Sequence, residues 1–461
     1  MLFKGIGDLI PLYALYAVLF ADHGLSTGQI SSLLAMWSAT AFLLEVPSGA
    51  WADTVSRRGL LVTSGVLLTA GFACWTVLPT YLGFAVGFVL WGTSGALVSG
   101  TFEALLYDEL VARNEQRAYP RIIGYTRAAS EAAIVIAILG ATPLYIWGGY
   151  PLLGWCSVAF AAVHTLVGLS LPSAPKAVSA SAVEDLDDED GSSGISRAGE
   201  SVVAEESSAS GLDGDIAQGP HVHRTSETGH AATDAAEIAR PLATYLNMLR
   251  TGVGEAIRVR AVRNVVALGA LLSGVTAFDE YFALLAQEVG VATAVVPVLV
   301  GITVIGSLVG SVSAGRTEGM SARAMAIAVG LGGALFVGGA VVAGLALRWP
   351  AAVYVLAGVG FTAIGVSYGI VYNASIVAGA RLQDAIEGPA RATVTSVSGL
   401  AAEVVALAVF GFAAIATLWL SMSTTVALLG ASLFAIALLI PSSLPRRIGA
   451  APEYEAAIAD E

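Results

Sequence analysis

The chain has 461 residues, of which 56% are apolar and only 12% are charged, and its formal net charge is −13. Soluble domains carry roughly 25% charged residues, so a soluble protein of this composition would expose large apolar patches and aggregate. The composition therefore excludes a secreted disulfide scaffold, a nucleic-acid-binding domain and most soluble enzymes. It indicates an all-α integral membrane protein whose surroundings are the lipid bilayer.

Apolar segments divide the chain into two sets of six. A helix needs roughly 20 apolar residues to cross about 30 Å of hydrocarbon, so these segments predict twelve transmembrane helices in two pseudo-symmetric six-helix bundles. The predicted spans are residues 5–21, 29–51, 60–79, 82–106, 122–145 and 151–171 in the first set, and residues 263–285, 292–314, 322–346, 351–377, 393–418 and 421–441 in the second.

The predicted domains follow from these spans. The first bundle comprises residues 1–172, the second comprises residues 263–445, and residues 446–461 form a cytoplasmic tail. Residues 173–240 are rich in Ser, Ala and Gly, and their Asp and Glu outnumber Lys and Arg by 14 to 4. Such a segment buries too little apolar surface to fold, which predicts a disordered cytoplasmic linker. Residues 241–262 are basic and amphipathic, which predicts a surface helix bound to anionic headgroups.

The positions of the basic residues predict the topology. Cytoplasmic loops of membrane proteins carry an excess of Lys and Arg. Apart from Arg127, which lies within a span, and Arg348, every Lys and Arg falls in a segment that a cytoplasmic N-terminus would place in the cytoplasm. We therefore expect a multi-pass protein of the cell membrane with both termini in the cytoplasm.

A weak internal repeat relates the two sets of spans. A polar joint with Pro and Arg precedes the fifth span, which carries Glu131, and a similar joint precedes the eleventh span, which carries Glu403. Repeats of this kind are typical of duplicated transporters.

The segment after the second span carries a recognisable motif, GAWADTVSRRG at residues 49–59. Gly49 permits close helix approach, Asp53 can accept hydrogen bonds from a helix N-terminus, and Arg57 and Arg58 can anchor the cytoplasmic side. Together with the preceding EVPSG, this segment resembles the signature of bacterial, efflux-like members of the major facilitator superfamily. The resemblance implies alternating access between two six-helix bundles, with these four residues as a conformational gate.

Charged residues within the spans are the main functional candidates, because each is costly in hydrocarbon unless it faces a cavity or a partner. We expect them to bind substrate or to couple transport to protons. Glu131 and Glu403 lie roughly 14–16 Å deep, near the bilayer midplane. Arg127 precedes Glu131 by four residues, so the two can pair, and a purely structural ion pair is the alternative. The candidates are Asp8, Arg127, Glu131, Asp279, Glu280 and Glu403.

Aromatic and amide side chains within the spans are candidates for the cavity wall, with ordinary helix packing as the alternative. They are Tyr13, Tyr16, Trp37, Tyr368 and Asn373. Signatures of catalytic, nucleotide-binding and metal-binding sites are missing from the sequence. We therefore expect no enzymatic activity, no cofactor and no metal.

The resemblance to efflux-like members implies secondary transport of a small apolar to amphipathic molecule, with proton-coupled export by antiport. The expected partners are this substrate, protons and lipid, with no nucleic acid, and the chain is expected to act as a monomer. Nutrient uptake by symport and facilitated diffusion are alternatives. A non-transporting membrane receptor or a membrane enzyme is a more remote one.

Overall fold

The computed structural model describes residues 1–173, 175–177, 260–385 and 391–444. The predicted linker apart from its first few residues, most of the predicted surface helix, and the tail lie outside the described residues. Within the described ranges all regular secondary structure is helical, which confirms the all-α fold. We refer to residues 1–173 as the first half and to residues 260–444 as the second half.

The helices of the first half are α1 Leu2–Gly7, α2 Tyr16–Asp22, α3 Thr27–Thr54, α4 Arg57–Val77, α5 Tyr81–Val98, α6 Thr101–Ala112 and α7 Tyr119–Leu169. Those of the second half are α8 Arg260–Gly274, α9 Phe282–Glu288, α10 Val296–Thr317, α11 Ala322–Gly344, α12 Val353–Ala385, α13 Arg391–Ala416 and α14 Met422–Ser443. Two 3₁₀ segments interrupt spans, at Pro11–Ala14 and Val275–Tyr281.

Nine helical segments of the described chain are long and apolar enough to cross a membrane, and the bent helix α3 makes a tenth. The predicted first span falls on α1, a 3₁₀ turn and α2, and each of these pieces is short. The predicted fifth and sixth spans both lie in α7, which has 51 residues. All twelve predicted spans therefore coincide with helical residues.

Helix α7 is a hairpin of two spans. Gly149 has φ 60° and ψ −156°, a conformation that glycine adopts without strain, and Pro151 follows it. The two ends of α7 return to the same side of the molecule, because Tyr119 packs on Tyr107 and the Leu169 carbonyl accepts a hydrogen bond from Arg58. The turn that the sequence predicts between residues 145 and 151 lies at this glycine.

The two ends of the helix bundle differ in charge. We call the end that holds Arg57, Arg58 and Lys4 the basic end, and the opposite end, which holds Asp22, the Asp22 end. At the basic end Arg57 is buried and forms a 2.6 Å ion pair with Asp108. In the second half Arg381 is likewise buried, and its guanidinium donates to backbone carbonyls of the loop before α11.

The two halves therefore hold corresponding loops in place with side chains of opposite charge. In the first half a carboxylate at the end of the fourth span holds an arginine that follows the second span. In the second half an arginine at the end of the tenth span holds the carbonyls of Glu318 and Met320, which follow the eighth span. Both arrangements satisfy charged or polar groups that would otherwise be buried without partners.

Candidate substrate and proton site

The first span is broken near its middle. Pro11 has no backbone N–H and disfavours a helical conformation at Ile10, which is extended with φ −112° and ψ 101°. The amide of Leu12, which has no partner in a regular helix there, donates a 3.1 Å hydrogen bond to Ser157 of the sixth span. The break leaves Asp8 at the end of α1, facing the interior of the first half.

A cavity of about 470 Å³ lies against this break. Its charged wall groups come from three spans, and they include Asp8 and Arg127. Lys4 and Glu103, also in the wall, form an ion pair of 3.5 Å. The rings of Tyr13 and Trp91 stack at 5.0 Å between centroids and complete an aromatic wall. An interrupted membrane helix is tolerated where it lines such a cavity.

The seventh span is also broken near its middle. Residues Val275–Tyr281 form a 3₁₀ segment between α8 and α9, and this segment carries both Asp279 and Glu280. The Tyr368 hydroxyl donates a 2.5 Å hydrogen bond to Asp279. Glu280 is half-buried, and no described residue forms a hydrogen bond or an ion pair with its side chain.

The two breaks occupy corresponding positions in the two halves. Each interrupts the first span of its half and each carries a carboxylate at the interruption. Paired interruptions of this kind mark substrate and ion sites in transporters built from repeats, because unwound backbone and charged side chains are stable only beside a polar cavity. The breaks thus place Asp8 and the Asp279–Glu280 pair as counterparts.

Hydrogen bonds between described residues join the halves from the Asp22 end to the depth of Glu403. Gln287 donates to Asp22 at 2.6 Å, and Ser31 bonds to Tyr281 at 2.7 Å. Ser38 donates a short hydrogen bond to Glu403. Ser31 and Ser38 are both buried. The halves are therefore closed against each other from the Asp22 end to the depth of Glu403.

Between that depth and the basic end, two carboxylates of the first half are exposed and face the second half. Glu45 lies two helical turns beyond Ser38 on α3 and is exposed, yet it interacts electrostatically with Glu403 of the second half. Glu131 is also exposed, although it lies within a span, and it interacts electrostatically with Asp8 and with Tyr372 of the second half. Exposed carboxylates that face the opposite half indicate an open, polar gap.

The predicted pairing of Arg127 with Glu131 is not among the ion pairs that the described residues form. Their i,i+4 spacing puts both on one face of α7, but Arg127 lines the cavity of the first half and Glu131 faces the gap. The i,i+4 spacing permits an ion pair between Arg127 and Glu131. The Glu131 carboxylate faces the gap instead.

The predicted gate residues contact the first half and the chain just beyond it. Asp53 accepts a 3.3 Å contact from Arg57, and its backbone carbonyl accepts a 2.7 Å hydrogen bond from Lys176. Arg57 is buried, and the contact that holds it is the ion pair with Asp108 within the first half. A Cβ at Gly49 would have no described atom within 4 Å.

The predicted wall residues are dispersed. Tyr13 lines the cavity of the first half, and Trp37 packs on Trp91 beside it. Tyr16 is buried among Phe20, Trp75, Phe88 and Trp91, and is part of the core.

The other two predicted wall residues lie in the second half. Tyr368 is buried and holds Asp279. Asn373 bonds to Ser313 and Thr317 at the side of a mainly apolar groove of about 490 Å³ between α10, α11 and α12.

Several residues that join the two halves by hydrogen bonds could not be recognised from the sequence. Ser31, Ser38 and Gln287 are ordinary polar residues within or beside spans, and their roles depend on partners more than 200 residues away. His164 of the sixth span packs on Phe3 and also lines the cavity. Among the described residues no group of His, Cys, Asp and Glu could hold a metal ion.

Comparisons with known proteins agree with this architecture. A family model described as Major Facilitator Superfamily matches residues 2–402. A crystal structure of a mutant of the nucleoside transporter NupG superposes with TM-score 0.62 at 10% identity, covering 96% of this chain and 99% of that one. The structure of an auto-inhibited POT family peptide transporter superposes with TM-score 0.61 at 13% identity, covering 98% of each chain. A search of the curated proteins returns no match.

Proposed function

Because the chain belongs to the major facilitator superfamily, whose model matches residues 2–402, we propose that it is a proton-coupled secondary transporter that exports a small amphipathic molecule. Transport proceeds by alternating access between the two halves, and each chain carries both halves of the site, so it works as a monomer. The observation that carries the proposal is the bond from Ser38 to Glu403 across the interface of the halves.

This bond links proton binding to conformation. Ser38 belongs to the first half and Glu403 to the second, so the bond exists only while the halves are closed at this depth. When they separate, Glu403 loses its hydrogen-bond donor and becomes free to exchange a proton with water on the newly opened side. Glu45, on the gap side of Glu403, gives the carboxylate a route to water in the present conformation.

We infer the direction of transport from which end of the helix bundle faces the cytoplasm and from the motif at residues 45–59. We place the basic end in the cytoplasm, because Lys and Arg are retained on that side of membranes. The present conformation is then open to the cytoplasm and closed outside, ready to take up a cytoplasmic substrate. The likeness of residues 45–59 to efflux-like members of the superfamily favours export over uptake.

Proteoliposomes that contain a pH-sensitive dye test the proposal. A panel of small amphipathic molecules, including nucleosides and peptides because the two structural neighbours carry those names, is screened for binding by thermal shift. We expect a bound molecule to cause proton movement in wild-type liposomes. Glu403→Gln mimics the protonated carboxyl group, so it should abolish proton movement and gradient-driven accumulation while it retains exchange of labelled substrate at equilibrium.

Glu109→Gln is the matched control, because Glu109 forms a surface ion pair with Arg113 away from the gap. It should behave as the wild type does. Transport by the wild type without proton movement would replace the proposal with facilitated diffusion. Proton movement in the same direction as substrate would replace it with uptake by symport. If Glu403→Gln keeps full proton coupling, Glu403 is not the coupling residue.

A further inference from the structure

We propose that the groove between α10, α11 and α12 binds one phospholipid of the membrane leaflet at the basic end, with an acyl chain in the groove and an anionic headgroup at Arg316. The site lies on the lipid-facing surface of the second half, so it is independent of the proposed transport function. Three features of the groove favour this ligand: its position along the helices, the order of its lining residues and the charge at its end.

The groove lies where two consecutive spans both pack on a third. α10 packs closely along α12, because a Cβ on Gly310 would overlap the carbonyl oxygen of Gly369. α11 packs along α12 in the same way, at Gly339 and Gly360. The space between α10 and α11 therefore has α12 as its floor, and it measures about 490 Å³.

The mouth of the groove opens towards the lipid. Its rim is formed by exposed, branched apolar side chains, which are Ile305 and Val309 of α10 and Val366 of α12. The serines in this part of α10, Ser307 and Ser311, lie on the opposite face of the helix by their spacing. Exposed apolar side chains at this depth of a spanning helix contact hydrocarbon rather than water.

The groove extends to the basic end of the bundle. The hydrogen bond between Gln287 and Asp22 places the loop before α10 at the Asp22 end, and the 22 residues of α10 then cover about 33 Å to the opposite end. The residues of α10 that line the groove run from Ile302 to Thr317, or about 22 Å. This length is close to that of one leaflet with its headgroup layer, about 20–22 Å.

The lining residues change from apolar to polar along this length. Towards the middle of α10 they are Ile302, Ile305 and Val309, whereas towards the basic end they include Ser313, Thr317 and Asn373. Asn373 donates to Ser313 at 3.0 Å and accepts from Thr317 at 2.9 Å, so the polar groups at this end are satisfied. A phospholipid has the same order, from its acyl chains to its ester groups and headgroup.

Arg316 supplies a positive charge at the polar end. It is exposed and follows Val309 by seven residues, which places it on the same face of α10 as the rim of the groove. No described residue forms an ion pair or a hydrogen bond with it. Between residues 292 and 381 the sequence has four arginines and one acidic residue, Glu318. This balance matches an anionic headgroup better than a zwitterionic one.

Native mass spectrometry of the full-length purified protein measures how many phospholipid molecules bind and how tightly. The probes are phosphatidylglycerol, phosphatidylcholine with identical acyl chains, and glycerol phosphate, which has the charge without the chains. We expect one phosphatidylglycerol to bind about tenfold more tightly than phosphatidylcholine, whose choline competes with Arg316 for the phosphate. Glycerol phosphate should not bind at the same concentrations, because burial of the acyl chain supplies most of the affinity.

Two variants separate the two parts of the site. Arg316→Gln should remove the preference for phosphatidylglycerol and leave the binding of phosphatidylcholine unchanged. Ala328→Phe places a ring in the groove and should weaken both phospholipids equally. Arg323→Gln and Ala334→Phe are the matched controls, because both residues are exposed on the side of α11 that points away from the groove. Neither control should change the binding of either phospholipid.

Equal binding of the two phospholipids to the wild type would contradict the contact at Arg316 and overturn the proposal. A preference for phosphatidylglycerol that persists in Arg316→Gln would also overturn it, because the headgroup would then be held elsewhere. Tight binding of glycerol phosphate would assign an anion site that needs no lipid, which likewise contradicts the proposal. If Ala328→Phe does not fold, Arg316→Gln and its control Arg323→Gln decide the outcome without it.

Discussion

Individual charged residues in this chain either stabilise the half to which they belong or face the opposite half. Arg57 and Asp108 are both buried and pair within the first half, whereas Glu45 and Glu131 are exposed and face the second. The sequence predicts which charges lie within spans, because hydropathy shows that directly. It cannot predict their partners, since Arg57 pairs most closely with a residue 51 positions away and Glu403 with one 365 positions away.

The buried ion pair gives a prediction about stability. Asp108→Asn removes the counter-charge of a buried guanidinium and also weakens the hydrogen bond from the Ala177 amide. We expect it to lower the free energy of unfolding by about 3–5 kcal/mol, measured as a fall in the thermal midpoint of the purified protein.

Asp53→Asn is the matched control for this change. The Asp53 side chain is 38% exposed and contacts the same guanidinium, so its loss should cost less than about 1 kcal/mol. Equal destabilisation by the two variants would show that the buried pair with Asp108 is not the main anchor of Arg57. A slower turnover in Asp53→Asn at unchanged stability is expected if this motif acts as a gate.

The two broken spans show which helix interruptions can be explained by the local sequence and which cannot. We predicted residues 5–21 as one span, yet Pro11 explains its interruption, because proline removes a hydrogen bond and restricts the residue before it. The seventh span has no proline in its 3₁₀ segment, so its break could not be predicted from local chemistry. There the Tyr368–Asp279 and Tyr281–Ser31 hydrogen bonds, both to distant helices, replace the regular helical arrangement.

Glycines also act at the scale of the element, by bringing α10 and α12 together. A Cβ on Gly310 would overlap the carbonyl oxygen of Gly369. Gly310→Ala should therefore push the helices apart and destabilise the protein by about 1–3 kcal/mol. Gly315 lies in the same helix with open space at its Cβ position, so Gly315→Ala should be neutral or stabilise the helix by up to about 1 kcal/mol. A comparison of their thermal midpoints in detergent measures the difference. Equal midpoints for the two variants would contradict the close packing.

At the scale of the whole molecule, the sequence predicts the number of spans, their grouping and the repeat, because each depends on composition and spacing. It does not predict which end of the bundle is closed. Alternating conformations share one sequence and differ in contacts between the halves that total only a few kcal/mol. The contacts at Asp22, Ser31 and Ser38 identify the present state.

Asp22 holds the closed end, and its removal should shift the balance of conformations. One carboxylate oxygen accepts from Gln287 of the second half and the other from Tyr150 of the first, each at 2.6 Å. Asp22 is exposed, so loss of the bond to Gln287 should cost the closed state about 1–2 kcal/mol, or about five- to thirtyfold in population. Spin labels at the exposed positions His23 and Ala292 report the distance across this end. Asp22→Ala should lengthen that distance, and a second pair at Arg113 and Arg323 should shorten at the basic end.

Tyr150→Phe should give a smaller shift in the same direction, because Tyr150 only orients Asp22 from within its own half. Gln287→Leu should match Asp22→Ala, since it removes the same bond between the halves, and Glu109→Gln should leave both distances unchanged. A lengthening at the Asp22 end without shortening at the basic end would indicate local loosening of loops. Unchanged distances in both Asp22→Ala and Gln287→Leu would show that the buried bonds at Ser31 and Ser38 close this end without Asp22. The halves would then be held at the depth of the two broken spans, where substrate and protons are expected to bind, and binding there would directly control opening to the outside.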